Sequence, residues 1–110
     1  MGTSKSKVIT KTHAQLTEPG NGEVVDVAKI QPASGEYEVT VATIDTDVTV
    51  RMDYSDDGFS TVVQGAEYQI GANGTFVFKT AVGYRQMRPV FVAETGGTAV
   101  TLDIKSRLSY

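Results

Sequence analysis

The sequence has no cysteine and no tryptophan, one histidine and three prolines. Without cysteine there is no disulfide framework, no thiolate zinc site and no thiol nucleophile. His13 lies in a polar stretch, and a lone histidine without a nucleophile or second ligand beside it reads as a surface residue. Long apolar runs are missing too. None approaches the roughly 18 residues of a membrane helix, and the opening Met1-Gly-Thr-Ser-Lys-Ser-Lys7 has no apolar signal core. Bases are outnumbered, 10 against 13 acids, and a formal charge of −3 argues against the phosphate neutralisation that nucleic-acid binding requires. There is no Gly-x-Ser-x-Gly elbow, no phosphate-cradling Gly-Lys-Ser/Thr loop and no dinucleotide fingerprint. The expectation is a protein that is not an enzyme, uses no cofactor and engages neither nucleic acid nor membrane.

What the chain has in abundance is β-branching: 15 Val, 14 Thr and 5 Ile among 110 residues. Such side chains are stiff at their first torsion and suit a pleated surface better than a helix. Alternation is clean in four places. Tyr37, Val39 and Val41 alternate with polar neighbours, as do Val48, Val50, Met52 and Tyr54, and Ala66, Tyr68 and Ile70. Val100, Leu102 and Ile104 do the same, with Leu108 and Tyr110 continuing that face. Less regular candidates are 23–30, 59–63, 75–79 and 84–93. Ser34-Gly35, Asp56-Asp57-Gly58, Asn73-Gly74 and Gly96-Gly97 supply turns. Pro89 cannot donate to a ladder, which predicts an edge strand or a bulge there. About eight strands at roughly ten-residue spacing predict an all-β fold, a single antiparallel β-sandwich of jelly-roll type.

Charge divides the chain. Residues 1–17 carry Lys5, Lys7 and Lys11 and no acid, whereas 18–110 are strongly acidic. A segment this polar cannot bury enough surface to offset its ordering entropy. Residues 1–22 are therefore expected to be an extended N-terminal arm and linker, ending in the turn signal Glu18-Pro-Gly-Asn-Gly22, with the sandwich domain at 23–110. Val8, Ile9 and Leu16 are the arm's candidate anchors on a partner, and Lys5, Lys7 and Lys11 its charged rim.

Several constellations invite a chemical reading. Asp53, Ser55 and Asp57 fall at the first, third and fifth positions of a calcium loop, with Gly58 at the sixth. The twelfth position, however, is Gln64, which lacks the bidentate carboxylate, and the flanks read as strands, so a hairpin with an Asp-Asp-Gly tip fits better. The pairs Asp45/Asp47 and Asp56/Asp57 lie in expected turns, where carboxylates are usually just solvated. Met1-Gly2 with Ser6 fits a myristoylation pattern and Asn73-Gly-Thr75 a glycosylation sequon, but chance and a turn account for them. Arg51 reads as ordinary pairing with Glu38, Asp53 or Asp103. Arg85 and Arg88, which flank Met87, are candidates for contact with a partner.

Val48-Thr-Val-Arg-Met-Asp-Tyr-Ser-Asp-Asp-Gly-Phe-Ser-Thr-Val62 resembles the central hairpin of discoidin-like, galactose-binding-type jelly rolls. Asn73-Gly-Thr-Phe-Val-Phe-Lys79, the stretch 84–98 and the closing 100–104 are similar to a β-sandwich of tailed-bacteriophage virion proteins. That resemblance implies a head decoration or cement protein: a jelly-roll body on the capsid surface, commonly a homotrimer, that binds the major capsid protein of the assembled head. An alternative is a carbohydrate-binding module, using loops around Asp56, Asp57, Tyr84 and Arg85, or a ring-forming component of a tail, neck or fibre.

Overall fold

The computed structural model describes residues 8–27, 34–44, 46–96 and 100–109. Ten strands fill it: β1 (Val8–Leu16), β2 (Gly20–Asn21), β3 (Val25–Asp26), β4 (Ser34–Ala42), β5 (Asp47–Ser55), β6 (Val63–Gln64), β7 (Tyr68–Ile70), β8 (Gly74–Lys79), β9 (Gln86–Thr95) and β10 (Thr101–Ser109). One sheet has the order β1-β10-β4-β8. The other runs β2-β9-β5-β6, with β3 also on β9 and β7 also on β5. Every pairing is antiparallel. If β2 and β3 are taken as one interrupted strand, and β6 and β7 as another, eight strands remain and the chain crosses between the sheets at nearly every connection. That is the doubly wound Greek-key path of a jelly roll. The expected β-sandwich is the fold.

The core lies where the alternation placed it. Tyr37, Val39 and Val41 of β4 and Leu102, Ile104 and Leu108 of β10 face Val48, Val50 and Met52 of β5 and Met87 and Phe91 of β9, all at 2 % exposure or less. Full burial of side chains of this size stabilises by about 1.5–3 kcal/mol each. Ser106 shares the inward row of β10, and its hydroxyl lies 3.5 Å from the Met87 sulfur. At one flank the sheets are joined by rings: Phe78 stacks on Tyr68 of the opposite sheet at 4.2 Å and lies 5.3 Å from Tyr37.

The structure corrects several expectations. From Val8 onward the expected arm is part of the sandwich, because β1 pairs with β10 from Val8↔Ser109 to Leu16↔Leu102 and β2 pairs with β9, while residues 1–7 lie outside the described residues. Composition misleads here because a ladder is made by main-chain groups. An open β10 edge supplies every bond that a polar segment needs to become a strand. Residues 59–62 are loop, and the strand is confined to Val63–Gln64. Between 23 and 30 only Val25–Asp26 is extended, with 28–30 outside the described residues. Asn73-Gly74 is an inter-sheet connection rather than a hairpin turn, with Asn73 accepting the Ile44 N–H at 2.8 Å. Pro89 is in β9, between long β5 on one side and the gap separating β2 from β3 on the other. There its carbonyl accepts the Gly22 N–H at 2.8 Å, and its missing N–H leaves no ladder position unfilled.

Candidate functional site

The outer face of β5 departs from simple alternation. After Val48, Val50, Met52 and Tyr54 turn inward, the outward residues Asp53 and Ser55 should be wet, yet each is only 1 % exposed. They are covered by the hairpin loop 56–62 that leads into β6, which folds back over the sheet. Two polar clusters hold this arrangement.

The first centres on Asp53. Its Oδ1 accepts from Arg51 Nε at 2.7 Å, and its Oδ2 lies 3.8 Å from Arg88 on β9, its register partner. The Arg51 guanidinium also reaches Glu67 at 3.3 Å. The hydrogen bond to Asp53 is the main reason Arg51 holds its proton more tightly than a free arginine. The Arg88 guanidinium sits over the Phe59 ring at 4.2 Å, a cation–π contact. A buried carboxylate is tolerable only when its oxygens are paired in this way.

The second cluster shapes the loop. Ser55 Oγ lies 2.8 Å from Asp57 Oδ1 and 2.7 Å from the Thr61 carbonyl, and accepts from the Asp57 and Phe59 N–H groups at 3.2 and 3.0 Å. Asp57 Oδ1 also accepts the Thr61 N–H at 2.9 Å. That bond, with the one from Ser55, lowers the Asp57 pKa below the ordinary carboxylate value. Gly58 at φ 71° and Phe59 at φ 68° turn the chain through the left-handed region, which is routine for glycine and costly for phenylalanine. Two further bonds dock the loop on the start of β9: Gly58 N–H to Gln86 Oε1 and Arg85 N–H to Asp56 Oδ1, both 2.8 Å.

Ser55, Asp56, Asp57, Thr61, Val63 and Tyr84 line a cavity of about 230 Å³. The Tyr84 ring is held on Tyr54 at 5.0 Å, and the Tyr54 hydroxyl oxygen accepts the Ala81 N–H at 2.8 Å. Asp56, Asp57, Tyr84 and Arg85, nominated from sequence as neighbouring loops, are thus brought together. A fixed aromatic ring, two carboxylates and a hydroxyl around a small hollow can accept hydrogen bonds and offer an apolar wall.

Other nominated residues part company. Asp53, Ser55 and Asp57 do not converge on a cation: Asp53 faces two guanidinium groups, while Ser55 and Asp57 bond to each other and to loop backbone. Among the described residues no group of three His, Asp or Glu side chains is arranged to hold a metal ion. Arg88 is committed to Asp53 and Phe59 of its own chain, whereas Arg85 is exposed. Lys5 and Lys7 lie outside the described residues. Val8, Ile9, Lys11 and Leu16 belong to β1, with Leu16 packed against the core. Phe59 was missed as a site residue, and no local signal marks it, since a left-handed phenylalanine is against its own preference.

No family model matches the chain, and neither does any curated protein. Among solved structures it is similar to the SPBc2 prophage-derived protein YomS, with a TM-score of 0.63 over 100 % of this chain and 99 % of that one at 14 % identity. The likeness is one of fold, end to end.

Proposed function

We propose that this chain is a non-enzymatic structural protein of a bacteriophage virion, a decoration or cement protein that binds the assembled head and stabilises contacts between major capsid subunits. The observation that carries the reading is the end-to-end likeness to a prophage-derived protein of nearly equal length. The described chemistry is compatible with it, because the buried charges on the outer face of the second sheet are consumed in holding a loop rather than poised for reaction. The basic leader with Lys5 and Lys7, followed by Lys11 on the β1 edge, suits an acidic shell, and a protein that binds only the assembled lattice stabilises it by mass action. With β1 in its own sheet, the lattice contacts fall to the residues ahead of β1 and to the exposed loops and edges, not to Val8, Ile9 and Leu16 as free anchors.

The test is to purify particles from a phage that encodes the chain and count its copies against the major capsid protein by quantitative mass spectrometry and cryo-electron microscopy. A fixed ratio on the head surface supports the reading, and absence from the particle refutes it. Copies on a tail, neck or fibre would favour the second reading, a carbohydrate-binding or ring-forming component. The hollow between Asp56, Asp57, Thr61 and Tyr84 is what speaks for carbohydrate.

A further inference from the structure

The sandwich has four flanks, and three of them are guarded against pairing. The β1 edge carries Lys11 and a register shift between Thr12 and Ala14. The edges of the second sheet are broken into strands of two or three residues, β2 and β3 on one side and β6 and β7 on the other. Lysine, bulges and short strands are the devices by which natural sheets blunt their edges. The fourth flank, β8, has of these only a lysine at its last position, Lys79. It runs six residues without proline or bulge, it pairs with β4 alone among the described strands, and Val77 at its centre is 49 % exposed.

We propose that β8 is the surface through which this chain pairs with a second copy of itself, the two strands running antiparallel about a two-fold axis at Val77. The sequence of the strand argues for that occupant. Thr75-Phe-Val-Phe-Lys79 reads almost the same in both directions from Val77. Antiparallel self-pairing in this register sets Val77 opposite Val77, and each Phe76 opposite the Phe78 of the other copy. Lys79 meets Thr75, so no like charges are opposed, and within its own sheet Lys79 already has Glu36 as its register partner. Phe76 and Phe78 are half-buried, and Phe78 is already in the stack with Tyr68 and Tyr37. The second copy therefore lengthens an existing aromatic row. An isologous contact of this kind closes after two copies, which makes the self-contact a dimer and not the trimer implied by the family resemblance. One strand-to-strand contact buries little area, so the affinity is on the order of micromolar. The inference rests on the edge alone and stands or falls separately from the virion reading.

Sedimentation of the full chain across a concentration series tests it. The expected result is a monomer–dimer equilibrium that Val77→Lys weakens about tenfold or more by placing two ammonium groups opposite each other, while the melting curve of the monomer is retained. A second measurement uses the lack of native cysteine: Val77→Cys should oxidise to a linked dimer faster than Val63→Cys, whose parent is similarly exposed at 41 %. A chain that stays monomeric at every concentration overturns the inference. So does a dimer indifferent to Val77→Lys, or a Val77→Cys variant that links no faster than Val63→Cys.

Discussion

Replacing Ser55 by alanine tests whether the hydroxyl, and not the glycine after it, builds the loop. The Ser55 oxygen has four polar neighbours between 2.7 and 3.2 Å. A hydroxyl has one proton and two lone pairs, so it serves at most three of them at once: one of Asp57 Oδ1 and the Thr61 carbonyl as acceptor, and the Asp57 and Phe59 N–H groups as donors. At about 1 kcal/mol net per bond the upper figure is about 3 kcal/mol. Asp57 and Gly58 are exposed, so water can reach part of the vacated site and offset some of the loss. The expected destabilisation is thus about 1.5–3 kcal/mol, which lowers the Tm of a domain this size by about 6–12 °C. Urea unfolding followed by circular dichroism measures the free energy, and amide exchange shows where it is lost. Protection should fall at Phe59 and Thr61 while β4 and β10 keep theirs. The reasoning is refuted by a loss under about 0.5 kcal/mol, or by a loss spread evenly over both sheets.

Asp53→Ala should cost more, about 3 kcal/mol in urea unfolding, since it leaves Arg88 facing an apolar gap while Arg51 keeps Glu67. An effect under 1 kcal/mol would show that the two arginines reach water without penalty. Gly65→Ala should destabilise by at least about 1 kcal/mol, because a Cβ there would lie 2.4 Å from the Met52 carbonyl oxygen, a backbone atom that cannot swing away. Gly20→Ala, with nothing within 4 Å, is the control and should stay within about 0.5 kcal/mol. Alkaline pH should unfold the protein. Burial raises the pKa of Tyr37 and of Tyr54, so above about pH 10 the unfolded chain loses phenolic protons that the folded chain keeps, and stability falls as pH rises. Tyr37→Phe should flatten that slope in a pH series of melting curves, and an unchanged slope would count against it. Asp57 acts in the opposite direction: its lowered pKa adds stability above the ordinary carboxylate range that is lost as pH falls through its folded value, and Asp57→Asn should remove that component.

The body of the fold was legible because its strands are half-buried and local. In β4, β5 and β10 the apolar inward positions could be picked out from two neighbours along the chain, and Leu102, Ile104 and Leu108 are at 0 % exposure as the alternation required, whereas the equally buried Ser106 gave no such signal. Legibility ended where partners come from far away. The β1 strand owes its existence to β10, more than 85 residues on, and its own side chains give no hint of it. Pro89 signals an edge strand or a bulge, whereas the gap between β2 and β3 beside it is what accommodates it. Asp53 and Ser55 look like solvated positions until a loop closes over them, and a period-two pattern cannot encode that closure.

The candidate site shows the same division more sharply. Asp56 and Asp57 come from the β5–β6 hairpin, and Tyr84 and Arg85 from the chain entering β9, about 28 residues later. They meet because β5 and β9 are adjacent in the sheet and Ser55 pairs with Gln86, which fixes where both loops emerge. The register therefore sets the distance across the hollow, and the Gly58–Gln86 and Asp56–Arg85 bonds lock it. In a jelly roll, every loop at one end is positioned by such long-range pairings. Residue types in the loops were readable in advance, but their mutual geometry is a property of the sheet beneath them. The hollow is thus tuned as much by Gln86, whose side chain holds the loop, as by the acids that line it.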